Sequence, residues 1–298
     1  MSRLNSPLAP IFMTAIAAMA WGVWWIPVRY LTGGGMNGPQ AGVLLNIGAA
    51  LGALICLLVL RQTPRIGPRA LLGGALVGVA LSTYSIAFAY SDVVRVILLF
   101  YLAPAWSKII EWAFMGQRWR WASTLTVAAS LTGAVLILGG RISMAALSVG
   151  DLLAVGSGIA WAVGATLIFT GRKSTALTLT FVTMIAGTFV AAGVGFLLGV
   201  AVIPVASPGI LTIGALLGAA FALPCLFATL WSAQRLAPAL LTFLFTLEIC
   251  AGVASGAILL DEPFGLIQMA GTVLIVGAAL IEVVFALRAS RTASATNP

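Results

Sequence analysis

The chain has 298 residues, of which 61% are hydrophobic and 7% charged, with a net charge of +8. A soluble domain carries about 25% charged residues, so this composition cannot clothe a water-facing surface; it excludes a soluble enzyme with a pocket and a nucleic-acid-binding domain. The 15 basic residues stand between apolar runs rather than along one stripe, which reads as orientation in a bilayer and not as a polyanion partner.

Crossing the hydrocarbon core of a bilayer takes about 20 apolar residues. With Arg, Lys, Gly and Pro clusters as punctuation, the chain offers ten such stretches, at 9–31, 39–60, 69–90, 93–115, 119–140, 149–170, 176–199, 208–231, 237–259 and 264–288. Arg3, the apolar run behind it and Ala18-Met19-Ala20 resemble a secretory signal. The run continues through Trp21–Leu31, however, too long for a signal core, so a retained first helix is expected. The connections are short and leave no room for a soluble domain. The tail 290–298 is small and polar and is expected to be disordered.

Counting Lys and Arg orients the spans. With the N-terminus inside, the cytoplasmic segments hold Arg3, Arg61, Arg65, Arg69, Arg118, Arg120, Arg172, Lys173, Arg235, Arg288 and Arg291, eleven in all, against Arg29, Arg95 and Arg141 outside. This asymmetry predicts both termini in the cytoplasm, in a bacterial-type inner membrane.

Two segments recur at a fixed offset of 140. Ala20-Trp21-Gly22-Val23 matches Ala160-Trp161-Ala162-Val163. Gly74-Ala75-Leu76-Val77-Gly78-Val79-Ala80 matches Gly214-Ala215-Leu216-Leu217-Gly218-Ala219-Ala220, with five of seven positions identical. Each match links span n to span n + 5. Five is odd, so a second copy that starts where the first ends must lie upside down. The expected fold is therefore all-α: a polytopic membrane protein of ten transmembrane helices in two inverted five-helix repeats, 1–142 and 143–289. Inverted repeats characterise secondary transporters, because two similar halves can exchange conformations and open one site to either side. A membrane scaffold or duplicated receptor is the competing reading.

The chemistry on offer is narrow. His is absent, which removes imidazole acid–base work and His-ligated metals. Cys56, Cys225 and Cys250 are isolated in apolar runs and read as small buried hydrophobes, with neither metal nor disulfide spacing. No metal and no cofactor is expected. Asp261 and Glu262 stand alone as adjacent acids in a turn, so an intramembrane enzyme lacks its cluster. Thr32-Gly33-Gly34-Gly35 is a flexible loop and no phosphate cradle.

Several motifs in order carry a resemblance. They are Ala20-Trp21-Gly22, Tyr101-Leu102-Ala103-Pro104, the turn Leu260-Asp261-Glu262-Pro263 and Gly271-Thr272-Val273-Leu274-Ile275-Val276-Gly277. By these the chain resembles the drug/metabolite transporter superfamily, EamA type, over nearly its whole length, and within it the exporters of aromatic amino acids. The family's Gly-Glu-Arg turn is Gly116-Gln117-Arg118 here, and Asp261 stands where a Gly is usual. The resemblance implies a ten-helix exporter of aromatic or large apolar amino acids, or of drugs and other small metabolites.

Charges within a membrane span cost about 2.5–3.5 kcal/mol each on insertion scales, so they call for a role or a partner. Glu248 lies in mid-span, with no cation within one turn. It reads as a partner for a substrate ammonium, as a proton-binding site, or as half of a structural ion pair with Lys108; these remain open. Lys108 suits a substrate carboxylate or snorkels to the cytoplasm, and Glu111 can pair with it locally. Trp21, Tyr84, Tyr101 and Trp161 lie inside their spans, away from the interfacial aromatic belts that Trp119 and Trp121 suit, and Trp25 shares a helix face with Trp21. With Ser82 and Phe245 they are candidates to line a cavity, where rings would stack on an aromatic substrate or hold its ammonium. Pro27, Pro104 and Pro224 interrupt their spans and are hinge candidates or inert kinks. Without an ATP-binding motif, the energy would come from a gradient. Expected partners are a small-molecule substrate, the lipid bilayer and, if transport is coupled rather than downhill, protons.

Overall fold

The computed structural model describes residues 9–115, 121–137, 147–171, 174–233, 235–236, 238–260 and 265–295. The side chains of Pro104, Lys108 and Glu111, and the turns at 116–118 and 261–263, lie outside the described residues. Those that are described form helices and no strand. In chain order these are α1 (Ala9–Gly22), α2 (Trp25–Gly33), α3 (Gly38–Val59), α4 (Pro68–Ala87), α5 (Val93–Phe100), α6 (Ala103–Met115) and α7 (Trp121–Ile137). There follow α8 (Val149–Thr170), α9 (Ala176–Leu197), α10 (Pro208–Leu217), a π-helical turn (Gly218–Ala222), α11 (Leu223–Ala233), α12 (Pro238–Leu259) and α13 (Leu266–Ala295). Among the described residues, six stretches are helical, long and apolar enough to cross a membrane: Ala9–Gly33, Gly38–Val59, Pro68–Ala87, Val149–Ile168, Ala176–Leu197 and Pro208–Ser232. The architecture is that of an all-helical, membrane-embedded protein.

Local signals set the helix ends. Asn37 accepts from the Gln40 amide while the Gln40 side chain accepts from the Asn37 amide, a reciprocal cap that opens α3. Ser148 and Asp151 do the same for α8. Helices α3 and α9 also end alike. Gln62 N–H donates to the Leu57 carbonyl and Val200 N–H to that of Gly195, each across a residue in the left-handed region, Arg61 (φ 48°) and Gly199 (φ 66°). At the other extreme of the chain, α13 runs to Ala295, past the boundary at 289 expected for a disordered tail. No Pro or Gly interrupts the sequence between Gly277 and Pro298, and extending an existing helix costs far less than starting one.

The prolines place the breaks. Pro27, Pro104 and Pro224 cannot donate to the carbonyl four residues earlier. The chain departs from α-geometry at Val23–Trp24, at Tyr101–Leu102 and over the π-turn Gly218–Ala222, each just upstream of its proline.

Helices meet through bare backbone. A β-carbon on Gly73 would stand 2.8 Å from the Gly164 carbonyl oxygen, and one on Gly164 would stand 2.9 Å from that of Gly73, which holds α4 against α8. Gly78 meets the Thr183 carbonyl of α9 in the same way, and Gly218 meets the Leu45 carbonyl of α3. Such small-residue seams are how helices associate where the solvent is as apolar as they are. The principal contacts pair α4 with α8 and α9, α3 with α9, α10 and the π-turn, α1 with α11 and α12, α8 with α5 and α6, and α7 with α13. The outward faces are greasy, with Phe12, Leu51, Ile55, Phe189 and Phe196 all more than half exposed. Polar groups turn inward: Asn46 Nδ2 donates to Ser82 Oγ at 2.9 Å, and Ser82 donates to the Gly187 carbonyl at 2.7 Å, joining α3, α4 and α9.

Candidate functional site

Glu248 sits in α12 and is only 4% exposed. Tyr84, near the end of α4, donates to its Oε1 at 3.0 Å. Tyr101, in the break between α5 and α6, lies with its hydroxyl 2.8 Å from Oε2 and 2.6 Å from the carbonyl oxygen of Phe245. Both tyrosines are buried. The break matters: a continuous helix would carry residue 101 on in register, whereas the turn at Tyr101–Leu102 points the phenol at the backbone of α12. Two neighbouring elements of the chain thus converge on one carboxyl group from a third, 164 and 147 positions away.

An aromatic wall surrounds it. The Tyr84 ring packs on Phe88 at 4.8 Å between centroids and on Phe100 at 4.7 Å. Phe100 meets Tyr101 edge-on at 5.6 Å and Trp161 of α8 at 6.2 Å. Edge-to-face rings at these distances are attractive beyond their buried area. On α1, Gly22 lets the backbones touch, since a β-carbon there would stand 2.6 Å from the Glu248 carbonyl oxygen.

Three further tryptophans brace this centre. Trp21 Nε1 donates to Thr229 Oγ1 of α11 at 3.2 Å, Trp24 Nε1 to Ser85 Oγ of α4 at 2.7 Å, and Trp25 Nε1 to Ser255 Oγ of α12 at 3.0 Å. One break between α1 and α2 therefore fastens three helices, each indole N–H finding the hydroxyl that a buried indole needs.

Of the residues singled out from the sequence, Tyr84, Tyr101, Glu248 and Trp161 come together, and Phe245 joins them through its carbonyl. Trp21 and Trp25 are buried in the adjoining brace. Ser82 is engaged between α3 and α9, away from the carboxyl. Lys108 belongs to α6, with its side chain outside the described residues. The sequence does not single out Phe100, Thr229 and Ser255. Phe100 stands just before the Tyr101-Leu102-Ala103-Pro104 motif, a signal available in hindsight, whereas serines and threonines are too common in apolar helices to stand out. Ile249, Val253 and Val276 line an apolar groove between α12 and α13 of about 580 Å³, with Thr272 its polar contribution; it lacks the polar anchors of a specific site.

No family model and no curated protein matches the sequence. Among solved structures 23 chains match. One, described only as the crystal structure of a protein, superposes with a TM-score of 0.60 at 15% identity, over 93% of this chain and 98% of that one. The likeness is one of fold, and it spans both chains almost end to end.

Proposed function

We propose that the protein is a secondary transporter of the drug/metabolite transporter superfamily, EamA type, that exports aromatic or large apolar amino acids across the inner membrane by alternating access. In this reading α5 with α6, α7, α12 and α13 supply the four spans beyond the six long apolar stretches, and both termini are cytoplasmic. The two halves are inverted repeats, in which α1–α2 corresponds to α8, α3 to α9, α4 to α10–α11, α5–α6 to α12 and α7 to α13. The contact pattern supports this. Exchanging the two sets turns the α4–α8 contact into α11–α1, α4–α9 into α10–α3, and α1–α12 into α8 with α5 and α6, all of which are made. The α3–α9 and α7–α13 contacts map onto themselves, as contacts on a two-fold axis must.

The observation that carries the substrate class is the buried Glu248 carboxyl, shared by phenols from the first half and walled by Phe88, Phe100 and Trp161. An acid can hold an ammonium, and rings at these angles can hold an aromatic side chain. Counterflow of labelled Trp, Phe and Leu in liposomes tests the reading. Exchange of Trp and Phe is expected; if none of the three exchanges, the proposal falls. The same acid and rings suit a lipophilic cation, so unlabelled cationic drugs belong in the assay as competitors. Inhibition by the drugs, with no inhibition by amino acids, would favour a drug exporter.

A further inference from the structure

We infer that Glu248 is the carboxyl group that exchanges a proton for the substrate ammonium, and that the structure holds it in its protonated form. A phenol has one hydrogen to donate. Tyr84 uses its hydrogen on Glu248 Oε1, at 3.0 Å. Tyr101 lies 2.6 Å from the Phe245 carbonyl oxygen, which can only accept, and 2.8 Å from Glu248 Oε2. Both distances are those of full-strength O–H···O bonds, and one hydrogen shared between two acceptors would lengthen both. The shorter contact takes the Tyr101 hydrogen. The bond to Oε2 then needs a hydrogen of its own, and the acid group is its source: Glu248 Oε2–H donates to the Tyr101 oxygen.

The surroundings agree. Among the described side chains the titratable groups that share hydrogen bonds with Glu248 are the two phenols. On the elements packed against α12, α1 carries no titratable residue, α11 carries the Cys225 thiol, and Arg95 of α5 is bonded to Asp151; Glu282, Arg288 and Arg291 of α13, and Lys108 of α6, have side chains outside the described residues. Cys250 on α12 itself is a free, exposed thiol. A buried carboxylate whose described partners are only phenols would be costly, whereas the acid gives each of the three hydrogens in the group an acceptor.

This gives the site a coupling step, which for its substrate rests on the transporter reading above. The Glu248 O–H bond breaks and the proton leaves to water. The carboxylate accepts N–H bonds from the incoming ammonium; Tyr84 remains a donor to it, and the Tyr101 hydrogen turns from the Phe245 carbonyl to Oε2. Release of the amino acid reverses the exchange. Proton and substrate cannot share the group, and that exclusion is what antiport requires.

The proton can be tested without transport. Infrared spectra of the purified protein in liposomes should contain a carbonyl stretch of a protonated carboxylic acid. The band should vanish in Glu248→Gln and shift in Tyr101→Phe, which removes its acceptor. A wild-type spectrum without that band, or one unchanged in Glu248→Gln, overturns the inference. Gln presents an N–H where the acid has its O–H, so Glu248→Gln should fold and melt like the wild type; marked destabilisation would instead mean that a phenol donating to a carboxylate oxygen had been left facing an NH2. If that variant does not fold, the Tyr101→Phe shift alone decides. The coupling step is read with a pH indicator in weak buffer. Tryptophan should displace a proton for each molecule bound to the wild type and none for Glu248→Gln. Wild-type counterflow without proton release would sink the coupling and leave the transporter standing. Lack of counterflow with the infrared band intact would do the opposite, leaving a protonated acid without a transported substrate.

Discussion

Arg95 of α5 and Asp151 in the first turn of α8 meet at 2.6 Å, the side chain of Asp151 being 1% exposed and that of Arg95 26%. Asp151 also accepts from Ser91 Oγ at 2.6 Å and from the Ser148 amide at 2.9 Å, so one carboxylate closes the helix cap and pins the α4–α5 link. Arg29 of α2 reaches the same link, donating to the Ser91 carbonyl at 3.0 Å.

Removing one partner of a buried ion pair costs about 3–5 kcal/mol. Because Arg95 keeps some contact with its surroundings, Asp151→Ala should lose about 3 kcal/mol, the low end of that range, seen as a lower melting temperature in detergent. Ser148→Ala removes only the cap and should cost about 1 kcal/mol. Equal losses in the two variants would show that the ion pair adds nothing.

The glycine seams predict a contrast. A β-carbon on Gly78 would stand 2.5 Å from the Thr183 carbonyl oxygen, and backbone cannot yield as a side chain can; at Gly193 nothing lies within 4 Å. Gly78→Ala should therefore destabilise by about 1–3 kcal/mol through overpacking, and Gly193→Ala should be neutral or stabilising. Thermal melts of the pair check this, and a neutral Gly78→Ala would refute the close approach of α4 to α9.

Helices α3 and α9 end in the same geometry on different residues. A β-carbon in the left-handed region costs roughly 1–2 kcal/mol, so Arg61→Gly should gain stability and Gly199→Ala should lose it, each by about 1 kcal/mol after the entropy of glycine in the unfolded chain is counted. Opposite signs in urea or thermal unfolding are the expected result.

Trp24→Phe keeps a ring and removes the bond to Ser85. In a double-mutant cycle with Ser85→Ala the coupling should fall at about 0.6–1.7 kcal/mol, the range for hydrogen bonds between membrane helices. A coupling of zero would mean that the indole is held by packing on Trp21 and Phe221 alone, at 5.5 Å each.

Pro224 has an exposed side chain, so its replacement disturbs little packing. Pro224→Ala restores an amide donor toward Ala220 and should erase the π-turn, straightening α10 into α11. Stability should rise, since proline in a helix costs about 3 kcal/mol, while counterflow slows because Gly218 shifts from its seat on Leu45. Undiminished counterflow would make the π-turn an inert kink.

Much of this was legible in the amino-acid order. Unbroken apolar runs announce the long helices, three prolines mark the three departures from α-geometry, and a lone acid in mid-span marks the site. Tyr84 and Tyr101 could be suspected because they sit too deep for an interfacial belt. Their joint aim at Glu248 could not, since Tyr84 is 164 positions away and Tyr101 is 147. The hydrogen on Glu248 depends on a backbone carbonyl at Phe245, and no side-chain pattern reports where a carbonyl points. Ser148 followed by Asp151 reads as a helix start. That Arg95 would come back to the same acid is a tertiary fact, fixed by how α5 packs on α8.

The touching backbones of α1 and α12 have a mechanical consequence. With Gly22 on one side and Gly252 on the other, no side chain is interposed to flex, and the peptide unit of Glu248 itself bears on α1. A joint of this kind has no play. In the transporter proposed above, a stroke of α1 along its neighbour would be delivered directly to the residue that holds the acid, so that rocking of the two halves and loosening of the grip on the cargo would be one movement rather than two in succession.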